Sequence, residues 1–293
     1  MADPYADIAR ADPEVQHRLA EALEIRAGER RQREMLSGYL AAISFPPEAR
    51  VLDVGCGTGA VARVLSEWPG VGEVIGVDPS PVFIERARQL ATQLRNVSFC
   101  VGDARSLDFE DASVDVAVVH TCLCHIPGPE RALAELWRVL RPGGWLAVFD
   151  GDYATTTVAI NEFDPLQCCA DAAMAALVYD RWLARRLPLL VKAAGFRCQA
   201  VRWSCIRADD RAAISIDLDR PGNRGSVCRR KHWFRTRSSS KSRGASSHRR
   251  RRVLRLDYLR QRHRRAAKLS GDSARSCGVD GIAIGQDRQI RRR

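Results

Sequence analysis

The 293-residue chain has no apolar run approaching the roughly 18 residues that a membrane-spanning helix needs. Its N-terminus is polar and helical in pattern and lacks the apolar stretch of a secretory signal, so the expectation is a cytoplasmic protein with no membrane partner. A spaced disulfide framework is also missing: the ten cysteines are scattered, and reduced thiols are expected. Cys122-x-Cys124 lies near His120 and His125, but no second ligand pair stands at structural-zinc spacing, so no metal is assigned. Adjacent Cys168 and Cys169 point to different faces of a helix and suit packing. No glutamate follows Glu162, and that absence marks a division in the chain. Residues 1–207 hold 22 Lys+Arg and 27 Asp+Glu, a balance of −5, whereas residues 208–293 hold 25 and 8, a balance of +17.

What is present is most informative at Val51-Leu52-Asp53-Val54-Gly55-Cys56-Gly57-Thr58-Gly59-Ala60. Three apolar residues around Asp53 make a short buried strand, three glycines at alternate positions make a tight turn, and a helical pattern begins at Ala60. Glycine there admits positive φ and lets the backbone approach a ligand that a β-carbon would block. The next strand, Glu73 to Val77, ends in Asp78-Pro79, roughly 20 residues after the turn, where a carboxylate can accept hydrogen bonds from ribose hydroxyls. Strand, glycine turn, helix, strand and acid form a unit that suits an adenosine-bearing ligand. The dinucleotide fingerprint GxGxxG is the alternative, but the third glycine stands one place too early for it.

This stretch resembles the class I S-adenosylmethionine-dependent methyltransferases. Val101-Gly102-Asp103-Ala104 is similar to the loop that meets the adenine in that family. Asp115-Val116-Ala117-Val118-Val119-His120 is similar to its fourth strand, and Leu136 to Gly144 to the helix and turn before its fifth. The overall likeness is to small-molecule methyltransferases of the quinone-biosynthesis and natural-product type and covers about residues 45–203. It implies that Asp53 and the backbone of Gly55, Gly57 and Gly59 meet the methionine part of S-adenosyl-L-methionine, with Cys56 also a cofactor-binding residue. It further implies that Asp78 meets the ribose and Asp103 with Ala104 the adenine, with Pro79 and His120 also among the cofactor-binding residues.

The periodicities predict strands at 50–54, 73–77, 97–101, 114–119 and 144–150, with helices near 60–68, 81–94 and 129–140 between them. Such alternation gives an α/β fold of Rossmann type, a doubly wound and mostly parallel sheet with helices on both faces. Residues 1–44, helical from Pro13 to Ala42, are similar to the segments that cover the cofactor in this family. Residues 45–207 form the cofactor-binding domain, ending in a helical stretch from about 164 to 194, broken at Pro188, and a sixth strand to about 203.

Residues 208–293 form an Arg/Ser-rich tail. It suits an arginine-rich arm on RNA or DNA, or a basic tail without fixed structure. A third account is a frameshift near residues 198–214, since arginine codons beginning with C become glycine, alanine, aspartate or glutamate codons one base later. Read so, His248 to Arg265 can give an apolar, β-branched segment like the family's final strand. On this preferred account nucleic acid is not a partner, and the final antiparallel strand is missing from the sheet, leaving an edge unpaired.

The expected activity is in-line methyl transfer from S-adenosyl-L-methionine to a small-molecule acceptor. The catalytic residue is unassigned, with His125 a weak candidate for general base because its ordinary pKa is near 6.5. His120-Thr121-Cys122-Leu123 stands where an NPPY-like tetrapeptide would indicate methylation of nucleobase amines. The competing readings are an RNA-directed methyltransferase using the tail and a catalytically impaired product of a frameshifted gene. The sequence leaves the acceptor and the oligomeric state open.

Overall fold

The computed structural model describes residues 3–204 and 279–285, which fall within one compact unit. Five parallel strands come first in the chain: β1 (Ala49–Val54), β2 (Val71–Asp78), β3 (Val97–Val101), β4 (Val114–His120) and β5 (Leu140–Phe149). They alternate with α3 (Ala60–Ser66), α4 (Pro81–Leu90) and α5 (Pro129–Val139), behind α1 (Pro13–Gly28) and α2 (Arg30–Leu40). After α6 (Leu166–Leu177) and α7 (Leu183–Ala193) come β6 (Arg197–Ser204) and β7 (Val279–Gly285). The sheet order is β3-β2-β1-β4-β5-β7-β6, with β7 antiparallel to both neighbours.

Successive residues of one strand enter two separate cores, because side chains on a strand point alternately to its two faces. Leu52, Val54, Ala117 and Val119 join Leu133, Leu136, Leu187 and Val191 on the α5–α7 side. Val51, Val116 and Val118 join Leu40, Leu65 and Ile84 on the α2–α3–α4 side. Both faces being covered, the central strands carry apolar residues at successive positions, interrupted in β1 by Asp53. Val51, Leu52 and Val116 to Val119 are fully buried, each valine or leucine side chain among them contributing roughly 1.5–3 kcal/mol.

The predicted doubly wound sheet is therefore present, and two expectations are corrected. The final antiparallel strand is not missing. Val148 pairs with Ile282 on one side of it and Val201 with Ile282 on the other, so β7 fills the slot between β5 and β6. The charge of the tail concealed Val-Asp-Gly-Ile-Ala-Ile-Gly, whose short apolar run is enough for seven ladder positions between two existing strands. Pro188 does not break the helical stretch. The break falls between α6 and α7, and Pro188 lies inside α7, whose Leu183, Leu187 and Val191 are buried. Apolar packing on both sides of the missing amide holds the helix together. The Arg/Ser-rich runs and the His248 to Arg265 segment lie outside the described residues. Among the described residues no helix is long and apolar enough to cross a membrane.

Candidate active site

The glycine turn follows β1 at the carboxyl end of the sheet, where open α/β folds hold ligands. Gly55, Gly57 and Gly59 have φ of +71°, +54° and +77°, conformations that L side chains rarely adopt. A β-carbon on Gly55 would lie 2.1 Å from Cys122 Sγ, and one on Gly59 2.7 Å from the Phe99 ring. The turn is thus pressed between β4's exit and β3. Asp78, at the end of β2, fixes it from the side: Gly57 N–H donates to Oδ2 and Ser80 N–H to Oδ1, each at 2.9 Å. Ser80 caps α4 by accepting from Phe83 N–H at 3.1 Å.

A cavity of about 700 Å³ opens above this turn. Its wall includes Asp53, Gly55, Cys56, Gly57, Asp78, Pro79, Asp103, Ala104 and His120, and also the base candidate His125. Of the residues predicted to meet the cofactor, Gly59 alone stands back from that wall, against Phe99 and Ala87, where it seats α3.

The acids differ in environment. Asp53 is 1% exposed, and neither of its carboxylate oxygens has a hydrogen-bond partner among the described residues. Burial pushes its pKa up to about 7; the Ala62 amide, which makes no proper hydrogen bond to it, opposes the shift, and the charge of Asp78 adds to it. Asp78 is raised to about 6, again by burial, against the two amides that hold it. Asp103 is lowered, first by its hydrogen bonds from Arg105, whose Nη2 lies 2.7 Å from Oδ2.

The histidines have separate partners. His120 Nδ1 lies 2.9 Å from the Tyr39 hydroxyl, and its ring stacks on Phe149 at 4.6 Å and 10°. Burial, then the charge of Arg26, lowers its pKa to about 3, so His120 stays neutral. His125 Nδ1 lies 2.7 Å from Asp3 Oδ2, and its ring sits 4.7 Å from that of Tyr5.

The roof comes from the N-terminal elements. Glu24 of α1 accepts from Thr58 Oγ1 at 2.5 Å and takes two bonds from Arg63 of α3 at 2.8 and 3.1 Å. Buried Gln16 accepts from Ser80 Oγ at 2.6 Å. Arg26 donates to Thr121 Oγ1 at 2.7 Å, and Thr121 itself has φ +51° at the exit of β4. Asp3, Glu24, Arg26 and Tyr39 were not identified from the sequence. Glu24, Arg26 and Tyr39 stand in polar helical segments where a charged or hydroxyl residue signals only a solvated face, and Asp3 lies in the polar stretch before them.

Residues 52–148 match the methyltransferase domain family. The uncharacterized 37.1 kDa protein of transposon TN4556 from Streptomyces fradiae is 33% identical over 170 residues, 58% of this chain and 49% of that protein. The 2-methyl-6-phytyl-1,4-hydroquinone methyltransferase of Synechocystis is 39% identical over 107 residues, 36% of this chain and 33% of its own length. The chain thus spans half or less of the length of these curated relatives. A chain from the complex of the Haloferax volcanii Trm112 methyltransferase activator with the protein classed as its methyltransferase has the same fold. Its TM-score is 0.52 at 24% identity, covering 65% of this chain and 77% of that one. With the glycine cradle, the acid ending β2 and this strand order, residues 52–148 are a methyltransferase domain of the Rossmann-like, S-adenosyl-L-methionine-dependent type.

Proposed function

We propose that the chain transfers a methyl group from S-adenosyl-L-methionine to a small organic acceptor bound under α1. The observation that carries this reading is the fully buried Asp53 carboxylate, without a hydrogen-bond partner among the described residues, at the foot of a turn whose glycines keep side chains out of the cavity. An unpaired buried carboxylate costs several kcal/mol, and a ligand ammonium group would relieve that cost. Asp53 and the backbone of Gly55, Cys56 and Gly57 would hold the methionine part. Asp78, kept in place by two amides, retains lone pairs for ribose hydroxyls. Asp103, Ala104 and Pro79 would flank the adenosine.

Bound there, the cofactor supplies a methyl group already activated on a sulfonium sulfur. The protein has only to align an acceptor and exclude water. His120, neutral and fixed between Tyr39 and Phe149, serves as wall. A cavity of about 700 Å³ suits a small molecule, and the hydroquinone methyltransferase among the relatives acts in name on such an acceptor. The arginine-rich runs that would favour an RNA acceptor lie outside the described residues.

Calorimetric titration of S-adenosyl-L-methionine into the full chain tests the reading, with Asp78→Ala as control. Saturable binding abolished by the substitution supports it; no binding by folded protein overturns it.

A further inference from the structure

We propose that Asp3 and His125 form a general-base pair, with Asp3 as the positioning residue, that takes the proton from an acidic hydroxyl of the acceptor. The inference rests on the methyltransferase reading above and adds the class of acceptor group to it.

The geometry begins with Asp3, whose side chain is 1% exposed. Its carboxylate receives three hydrogen bonds: Tyr5 N–H on Oδ1 at 2.8 Å, and Tyr179 N–H and His125 Nδ1 on Oδ2, both at 2.7 Å. Backbone amides can only donate, so the carboxylate accepts from both of them, and Nδ1–H is the donor toward the same ionised group. That fixes the tautomer with Nε2 unprotonated, the arrangement a base needs. Orientation is fixed as well. The Tyr5 ring packs on the imidazole, His125 N–H donates to Cys122 O at 3.0 Å, and Asp180 N–H donates to Cys124 O at 2.9 Å. The imidazole lines the same cavity as Asp53, Asp78 and Gly57.

Arg26 selects the kind of proton. It lines that cavity, donates to Thr121, and forms no ion pair with a carboxylate among the described residues. Its charge acts on the hydroxyls of Tyr5 and Tyr153 in the direction that favours their anions, against the larger effect of burial. A positive charge so placed favours an acceptor oxyanion and disfavours a cationic amine. In the reaction the O–H proton passes to Nε2 and the oxygen lone pair forms the bond to the methyl carbon. The electron pair of the breaking C–S bond stays on sulfur, and the imidazolium later releases its proton to water.

The probe is 4-nitrophenol, whose phenolate is yellow, with 4-nitroaniline as the counterpart lacking an acidic O–H. Each is titrated into the full chain, without cofactor, as wild type, Asp3→Asn and His125→Gln. The expected result is binding of the phenol in which the phenolate fraction at pH 6 is at least fivefold greater in wild type than in either variant. Methylation of the phenol by the loaded enzyme should fall about 10²-fold in kcat in both variants, with cofactor affinity changed less than twofold. Added imidazole should restore part of the activity to His125→Gly. Equal ionisation in all three proteins, absence of phenol binding, or preference for the aniline overturns the proposal. Loss of cofactor binding in wild type would overturn the methyltransferase reading instead, and is read separately.

Discussion

Replacing Asp53 by asparagine should stabilise the cofactor-free protein at neutral pH and weaken cofactor binding. The Asp53 carboxyl is fully buried, and its pKa rises from an ordinary 3.8 to about 7 because burial penalises the charged form. A carboxyl whose folded-state pKa lies above its unfolded value favours folding below the unfolded value, and that advantage is lost as pH rises through the folded one. The window runs from about pH 4 to about pH 7. Across it the ionised side chain costs about 4 kcal/mol, from roughly three pKa units at 1.36 kcal/mol each. Urea unfolding of the cofactor-free wild type and Asp53→Asn should therefore give nearly equal stabilities at pH 4. By pH 8 the variant should be more stable by about 4 kcal/mol. Binding should show the opposite sign. Wild-type affinity for S-adenosyl-L-methionine should tighten about tenfold per unit as pH rises from 5 toward 7, because the bound form needs the carboxylate ionised. Asp53→Asn should bind on the order of 10²-fold more weakly at pH 7.5 and lose that slope. A variant that is less stable at pH 8 than at pH 4 relative to wild type, or that binds the cofactor normally, would refute the reasoning.

Gly59→Ala combines a left-handed φ with a β-carbon 2.7 Å from the Phe99 ring, and should lower stability by about 2–4 kcal/mol in urea unfolding. Tyr39→Phe removes the hydroxyl beside His120 Nδ1 and leaves a buried nitrogen unpaired. A loss of about 1–3 kcal/mol is expected in the same assay, with His120 still neutral by proton NMR. Glu24→Gln unfastens α1 from Thr58 and Arg63. Its stability cost should be only about 1 kcal/mol, since the pair is about a quarter exposed. Stopped-flow fluorescence should show the cofactor leaving severalfold faster.

The strands were legible because their chemistry is local. Val51, Leu52, Val54 and Val116 to Val119 put apolar side chains on both faces, which marks central parallel strands whatever surrounds them. The glycine turn was legible because positive φ at three alternate positions has few other solutions. β7 was not: Val279–Gly285 has too short a pattern to stand out from an arginine-rich background, and it becomes a strand only because β5 and β6 present ladders on either side. Gly59 reads like its two neighbours in the sequence, yet the distance to Phe99 shows that it serves packing. His120 and His125 also look alike in sequence. Burial and the charge of Arg26 keep one neutral, while a carboxylate 122 residues away orients the other, and no spacing rule encodes that partner.

This division has a chemical consequence. The floor of the cavity, from Asp53 to Asp78, is set by one βαβ unit, and it is where the proposed reading puts the methyl donor. The roof is assembled by contacts far apart in sequence: Arg26 to Thr121, Glu24 to Thr58 and Asp3 to both His125 and Tyr179. If the methyl donor covers the floor, as proposed, whatever distinguishes this chain's acceptor from those of its relatives must touch the roof. Substitutions in the glycine turn should then reduce transfer to every acceptor alike, since they act through cofactor binding. Substitutions at Asp3, Arg26 and His125 should change the ratio of kcat/KM between a phenol and an amine while cofactor affinity holds. A panel in which the turn variants altered that ratio and the roof variants did not would place acceptor selection on the floor and reverse the argument.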